Sequence, residues 1–179
     1  MTQITLAVTG SISAYKAADI TSQLTKLGFE VKVLMTPAAR KFITPLTLQI
    51  LSKHQVGLDV MIEDDPQRIE HIDIGKETDL FLVAPASANT IAKLAMGLAD
   101  NMVTSTALAL PQTTKKLLAP AMNTKMLEHP ATQRNLKLLQ DYGYQIIQPH
   151  HATLACGDQG SGALASVETI VETVKENCL

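Results

Sequence analysis

Four stretches of this chain set reactive or hydrogen-bonding side chains beside residues that free the backbone. The first is LACGDQGSGAL, residues 154–164, which places Cys156 and Asp158 among Gly157, Gly160 and Gly162. It is too rich in glycine for a helix or a strand, so it reads as a loop carrying one thiol. The chain has one other cysteine, Cys178. Two cysteines make no disulfide framework, and both are expected to be thiols. The second stretch is PAMNTKM (120–126). Its Asn123 either caps the next helix or aims a neutral amide at a substrate carboxylate. Met122 and Met126 either join the core or wall a pocket. The third, PASANT (85–90), ends a strand and starts a helix with Ser87, Asn89 and Thr90. Capping by Ser87 accounts for one hydroxyl but not for the whole string. The fourth, TGSIS (9–13), is a glycine-and-hydroxyl turn at a helix start, where free N–H groups suit an anion. It is neither GxGxxG nor a lysine-bearing P-loop. It suits a mononucleotide-like phosphate better than a dinucleotide, or it is an ordinary strand–helix turn.

Other polar residues carry less. In LADNM (98–102), Asp100 is expected to cap a helix. His71, in IEHIDIG, stands alone, as do His54 and His129, and a lone histidine is more often scaffold than site. His150 and His151 are adjacent and make a poor chelate, and no Cys/His spacing resembles a metal site.

The elements that must position these residues follow from the apolar pattern. With 46% hydrophobic and 18% charged residues, a chain of 179 residues can bury a sizeable core, and one domain over 1–179 is expected. A net charge of −2 gives no electrostatic reason to expect nucleic acid or an anionic membrane. No apolar run reaches the roughly 18 residues of a membrane span. The N-terminus lacks the basic region of a signal peptide, so a cytoplasmic location is expected. Strands are predicted at 4–10, 30–36, 79–87, 115–122 and 144–149, and helices at 14–27, 45–52, 88–97, 101–110 and 130–141. A last helix is capped by Ser166. The alternation predicts an α/β fold with a mostly parallel sheet and helices on both faces. Ligands bind such sheets beyond the carboxyl ends of the strands, where strand order switches. That edge gathers Gly10–Ser13, Thr36–Ala38, Pro85–Thr90, Pro120–Met126 and residues 149–164 in one crevice.

GSISAYKA, HIDIGKETDLFLVAPASANTIAKLAMGLADN, APAMNTKM and ACGDQGSGAL occur in that order along nearly the whole chain. Together they resemble the homo-oligomeric flavin-containing cysteine decarboxylases. The resemblance implies a Rossmann-like flavoprotein fold, assembled as trimers or as dodecamers of trimers, with FMN at a subunit contact. It implies decarboxylation of 4′-phosphopantothenoylcysteine to 4′-phosphopantetheine and CO₂ in coenzyme A biosynthesis. The implied route is flavin oxidation of the substrate thiol, CO₂ loss to an enethiolate, and return of the hydride. Carried over by position, Gly10, Ser11, Ile12 and Thr36 would contact the flavin, with Ser87, Ala88, Asn89 and Thr90 as its main segment and Ala121 nearby. His71 matches the active-site histidine and Asn123 the ligand of the substrate carboxylate. Met126, Ala155 and Gly157 would lie against the substrate, and Cys156 would act in the reductive half-reaction. No metal is implied.

Two positions depart from the family pattern. Met126 is followed by Leu127 where a tryptophan is common, and Gly162 by Ala163 where an arginine is common. Lys115, Lys116, Lys125 and Arg134 are candidates to replace that arginine. Relatives often fuse a synthetase, for which this length leaves no room, so a separate synthetase chain is expected to supply the substrate. The competing readings are a peptidyl-cysteine decarboxylase, a flavin prenyltransferase, a non-catalytic flavin-binding regulator and an unrelated α/β domain.

Overall fold

A computed structural model describes residues 2–63, 65–153, 157 and 159–178. The first strand, β1 (Gln3–Val8), is buried on both faces: Ile4, Leu6 and Val8 enter one core and Ala7 another. A 3-10 turn over Ile12–Lys16 leads into α1 (Ala17–Lys26), whose Ala17, Ile20 and Leu24 make a buried stripe. Then come β2 (Glu30–Met35), α2 (Pro45–Ser52), α3 (Glu70–Glu77), β3 (Leu80–Ala86), α4 (Ala88–Met96) and α5 (Met102–Ala109). The chain continues through β4 (Lys115–Pro120), α6 (Thr124–Glu128), α7 (Pro130–Asp141), β5 (Tyr144–Ile146), β6 (His150–Thr153), β7 (Gln159–Ala163) and α8 (Val167–Cys178).

Five strands form one parallel sheet in the order β2-β1-β3-β4-β5. Every residue of β3 is buried, as a continuous apolar run at the centre of a parallel sheet requires. Its Leu80, Leu82 and Ala84 face the core shared with α1, α2 and α8. Phe81 and Val83 face the core shared with α3, α4, α5 and α7. The α/β expectation holds, and the strand order adds the position of the crevice. The order reverses between β1 and β3, so α1 and α4, which follow them, pack on opposite faces of the sheet and a crevice opens between their starts. No helix among the described residues is long and apolar enough to cross a membrane.

The structure differs from the sequence reading in three places. The last parallel strand stops at Ile146 rather than at 149. The segment IEHIDIGKE, given no element, is mostly α3, with Glu70 and Asp73 at its amino end, where the positive end of the helix dipole stabilises acidic side chains. The second half of the glycine-rich stretch is a strand: β7 pairs antiparallel with β6 as a separate two-stranded ribbon. Glycine is tolerated in β7 because the ribbon lies flat on another segment. A Cβ on Gly160 would come 2.2 Å from Thr124 Oγ1, and one on Gly162 would come 2.3 Å from the Met122 carbonyl oxygen. Close approach, not a free turn, is what these two glycines provide.

Candidate active site

A cavity of about 790 Å³ opens at the carboxyl ends of the parallel strands. Its floor is the turn after β1. Gly10 is required there by packing, since a Cβ would sit 2.5 Å from the Ala38 Cβ. Ser11 caps the 3-10 turn by accepting from the Ser13 N–H. Gly10, Ser11 and Ile12 all line the cavity, and so does Thr36 at the end of β2. The Thr36 hydroxyl accepts from the Ala39 N–H, which fixes the turn that brings Ala38 over Gly10.

The second wall is the start of α4. Ser87 caps it by accepting from the Thr90 N–H. Thr9, fully buried at the end of β1, ties the two turns together: its hydroxyl donates to the Pro85 carbonyl at 2.6 Å and accepts from the Ser87 N–H at 2.8 Å. Ser87, Ala88, Asn89 and Thr90 all face the cavity. These two helix starts direct N–H groups and hydroxyls at one space, which could hold a phosphate.

The third wall follows β4. Ala121 is buried, and its N–H donates to the Ala86 carbonyl. The Asn123 side-chain oxygen accepts from the Lys125 N–H and caps α6. The capping role and the ligand role are therefore compatible, because the cap uses the oxygen and an amide also carries an NH₂ donor. Met126, half exposed, lines the cavity beside Asn123. Over this wall sits the β6–β7 hairpin, joined by the Met122 N–H donating to the Gly162 carbonyl at 2.9 Å.

Nearly all the described candidates thus converge on one cavity. His71 and Gly157 do not line it, and Ala155 and Cys156 lie outside the described residues. His71 sits in the first turn of α3 with its Nδ1 buried and without a hydrogen-bond partner among the described residues. Lys93 and Asn101 line the cavity and were not anticipated as site residues. Lys93 carries a sequence signal, since it follows Thr90 by three positions and shares its helix face. The cap of α5 is Asn101, not Asp100: Asn101 and Thr104 make a reciprocal capping box. Asp100 instead accepts from Lys93, and that hydrogen bond holds its carboxyl below the usual range. None of Lys115, Lys116, Lys125 and Arg134 lines the cavity. Lys115 and Lys116 begin β4, at the opposite end of the sheet, and donate to the carbonyls of Asn177 and Tyr142.

Known proteins are similar to nearly the whole of this chain. The chain is 63% identical to a probable phosphopantothenoylcysteine decarboxylase of Streptococcus mutans, over 97% of each chain. It is 46% identical to the coenzyme A biosynthesis bifunctional protein CoaBC of Bacillus subtilis, over 97% of this chain but 42% of that protein. Among solved structures, a cysteine-to-serine mutant of PPC decarboxylase complexed with pantothenoylaminoethenethiol matches with a TM-score of 0.90 at 32% identity, covering 98% of this chain and 97% of the other. The FMN binding protein AtHal3 matches with a TM-score of 0.85 at 33% identity, covering 98% and 95%. The Flavoprotein family model matches residues 1–179, and the chain belongs to that family.

Proposed function

We propose that this chain is an FMN-dependent decarboxylase that converts 4′-phosphopantothenoylcysteine to 4′-phosphopantetheine and CO₂ in coenzyme A biosynthesis. The observation that carries this reading is the meeting, at one cavity, of two hydroxyl-bearing helix starts with a capped asparagine amide under a glycine hairpin. The lining fits FMN. Gly10, Ser11, Ile12, Thr36, Ser87, Ala88, Asn89, Thr90 and Ala121 are assigned to it, the N–H and hydroxyl groups to its phosphate and polar edge, and the apolar side chains to its ring. When bound, the flavin supplies the two-electron oxidation of the substrate thiol, which makes the carboxylate a good leaving group, and then the returning hydride.

The chain's own residues bind, orient and protonate. Asn123 presents a neutral donor to the substrate carboxylate. A cation there would stabilise the ground state that must lose its charge, and would oppose CO₂ release. Met126 and Gly157 are assigned to the substrate, as are two residues outside the described part of the structure: Ala155 as a contact, and Cys156 as the acid of the reductive half-reaction. The enethiol held by the cysteine-to-serine PPC decarboxylase mutant supports that role for Cys156. His71 does not line its own chain's cavity, so we assign it to the cavity of a second copy, in a homo-oligomer with FMN at the subunit contact. The exposed Met61, Ile62 and Ile69, just ahead of His71, suit such an interface. Formation of the substrate is assigned to a synthetase acting upstream.

One assay tests the reading. Purified protein is incubated with 4′-phosphopantothenoylcysteine, or with a peptide ending in cysteine, and the products are followed by mass spectrometry. The expected outcome is CO₂ and phosphopantetheine from the first substrate alone, and CO₂ with accumulated enethiol from Cys156→Ser. Protein that neither holds nor takes up FMN overturns the reading.

A further inference from the structure

The hairpin brings to the cavity an imidazole with no assigned role. Among the described lining residues, three side chains can carry positive charge: Lys16, Lys93 and His150. Lys93 is already bridged to Asp100. Lys16 belongs to the turn that opens at Ser11, the segment assigned above to the cofactor. The imidazole of His150, an exposed residue, has no hydrogen-bond or ion-pair partner among the described residues. It begins β6 and stands opposite Ala163 of β7. Directly opposed residues of an antiparallel pair present side chains to the same face, with Cβ atoms about 4.5–5.5 Å apart. Both residues line the cavity, as do Ala152 and Thr153 farther along β6, whereas His151 does not. The pairing skips a residue between these two positions, at Gly162, whose carbonyl is the one that takes the Met122 N–H. The ribbon is therefore anchored at the point from which His150 and Ala163 face the cavity. Ala163 places no polar side-chain group opposite His150 on this rung.

A substrate of the kind proposed brings two anions to this space, a carboxylate and a phosphate monoester. The Asn123 amide answers the first without charge. The second carries close to two negative charges and calls for a charge-assisted donor. We propose that the His150 imidazole binds the substrate's phosphate and is the residue that makes this site select a phosphorylated thiol. This inference rests on the decarboxylase reading and adds a specificity determinant to it.

The test compares kcat/KM for 4′-phosphopantothenoylcysteine and for its dephosphorylated form, using FMN-loaded wild type, His150→Ala and His150→Ala with Ala163→Arg. The ratio of the two values reads phosphate recognition and cancels losses of fold or loading. The expected result is a ratio that falls about tenfold or more in His150→Ala, the range of one charge-assisted hydrogen bond. Ala163→Arg is expected to recover it, because it places a donor to phosphate across the same rung. An unchanged ratio in His150→Ala overturns the inference. Wild type that releases no CO₂ from either compound overturns the decarboxylase reading instead. In that case, titration of the bound flavin's fluorescence with 4′-phosphopantetheine still decides about His150. Tighter binding to wild type than to His150→Ala supports its role, and equal binding removes it.

Discussion

The cavity has two sides held by different means, the walls after β1, β3 and β4 and the hairpin above them. The first, taken as one wall, is an outgrowth of the core. Thr9 is fully buried beneath it, Thr36 and Ala121 are nearly so, and the turns are tied by short side-chain hydrogen bonds across residues far apart in sequence. The β6–β7 hairpin stands outside the five-stranded sheet, and none of the described residues of β6 and β7 belongs to either core. It rests on Met122–Thr124 through one backbone hydrogen bond and two glycine contacts. Strands whose described residues stay out of both cores open at lower free-energy cost than ones continuous with the core. The difference suits a site that keeps its cofactor and exchanges its substrate, with water excluded once the hairpin is seated.

Asn123 lies where the two walls meet, and its replacement should have the largest effect. Aspartate caps helices as well as asparagine does, so Asn123→Asp should fold and keep its FMN. Its charge would oppose the substrate carboxylate and remove a donor, and CO₂ release should fall by about a hundredfold or more. Full activity in this variant would place the carboxylate elsewhere and detach both walls from the chemistry.

A matched pair of substitutions probes the walls separately. In Gly10→Ala the new methyl group meets the Ala38 Cβ inside the packed floor. Overpacking of that kind costs about 1–3 kcal/mol, and both melting temperature and FMN content should drop. In Gly162→Ala the new methyl meets the Met122 carbonyl under the hairpin. The ribbon can lift to relieve it, so FMN content and melting temperature should stay close to wild type while kcat/KM falls about tenfold as closure is lost. FMN stoichiometry and thermal unfolding read the first outcome, and steady-state kinetics the second. Equal losses of melting temperature in both variants would mean that the hairpin is as much part of the core as the floor.

The same division explains what could be read from sequence. The floor was legible because its signals are local: an apolar run, then small and hydroxyl residues, then a helical period, as in LFLVAPASANT. Once the alternation of strands and helices is recognised, the rule for parallel sheets brings those turns to one edge. The hairpin was misjudged because its glycines answer to contacts with Met122 and Thr124, more than thirty residues away. Glycine content alone cannot separate a loop from a strand that must lie flat. The cap of α5 was misassigned by one residue because Asp100 and Asn101 are both good caps; the choice is made by Thr104, three residues after Asn101, and by Lys93, which takes Asp100. His71 is named from the family resemblance alone, and it does not line its own chain's cavity, so no local pattern points to the role proposed for it.

The smallest expected effect tests whether the floor owes its geometry to a single side chain. Thr9→Val keeps the shape of the buried residue but removes the hydroxyl that donates to the Pro85 carbonyl and accepts from the Ser87 N–H. Leaving a partly buried N–H unpaired costs about 1–3 kcal/mol. At about 2–4 °C per kcal/mol for a chain of this size, the melting temperature should fall by several degrees. The FMN dissociation constant should rise severalfold, because Ser87 starts the helix assigned to the cofactor. Thr9→Ser, which retains the hydroxyl, should restore the affinity while still lacking the buried methyl. The hairpin carries no part of this linkage, so the preference between substrates at saturating FMN should not move. An FMN affinity in Thr9→Val equal to wild type would show that burial alone sets the floor, and that the hydrogen bonds through Thr9 do not distinguish it from the hairpin.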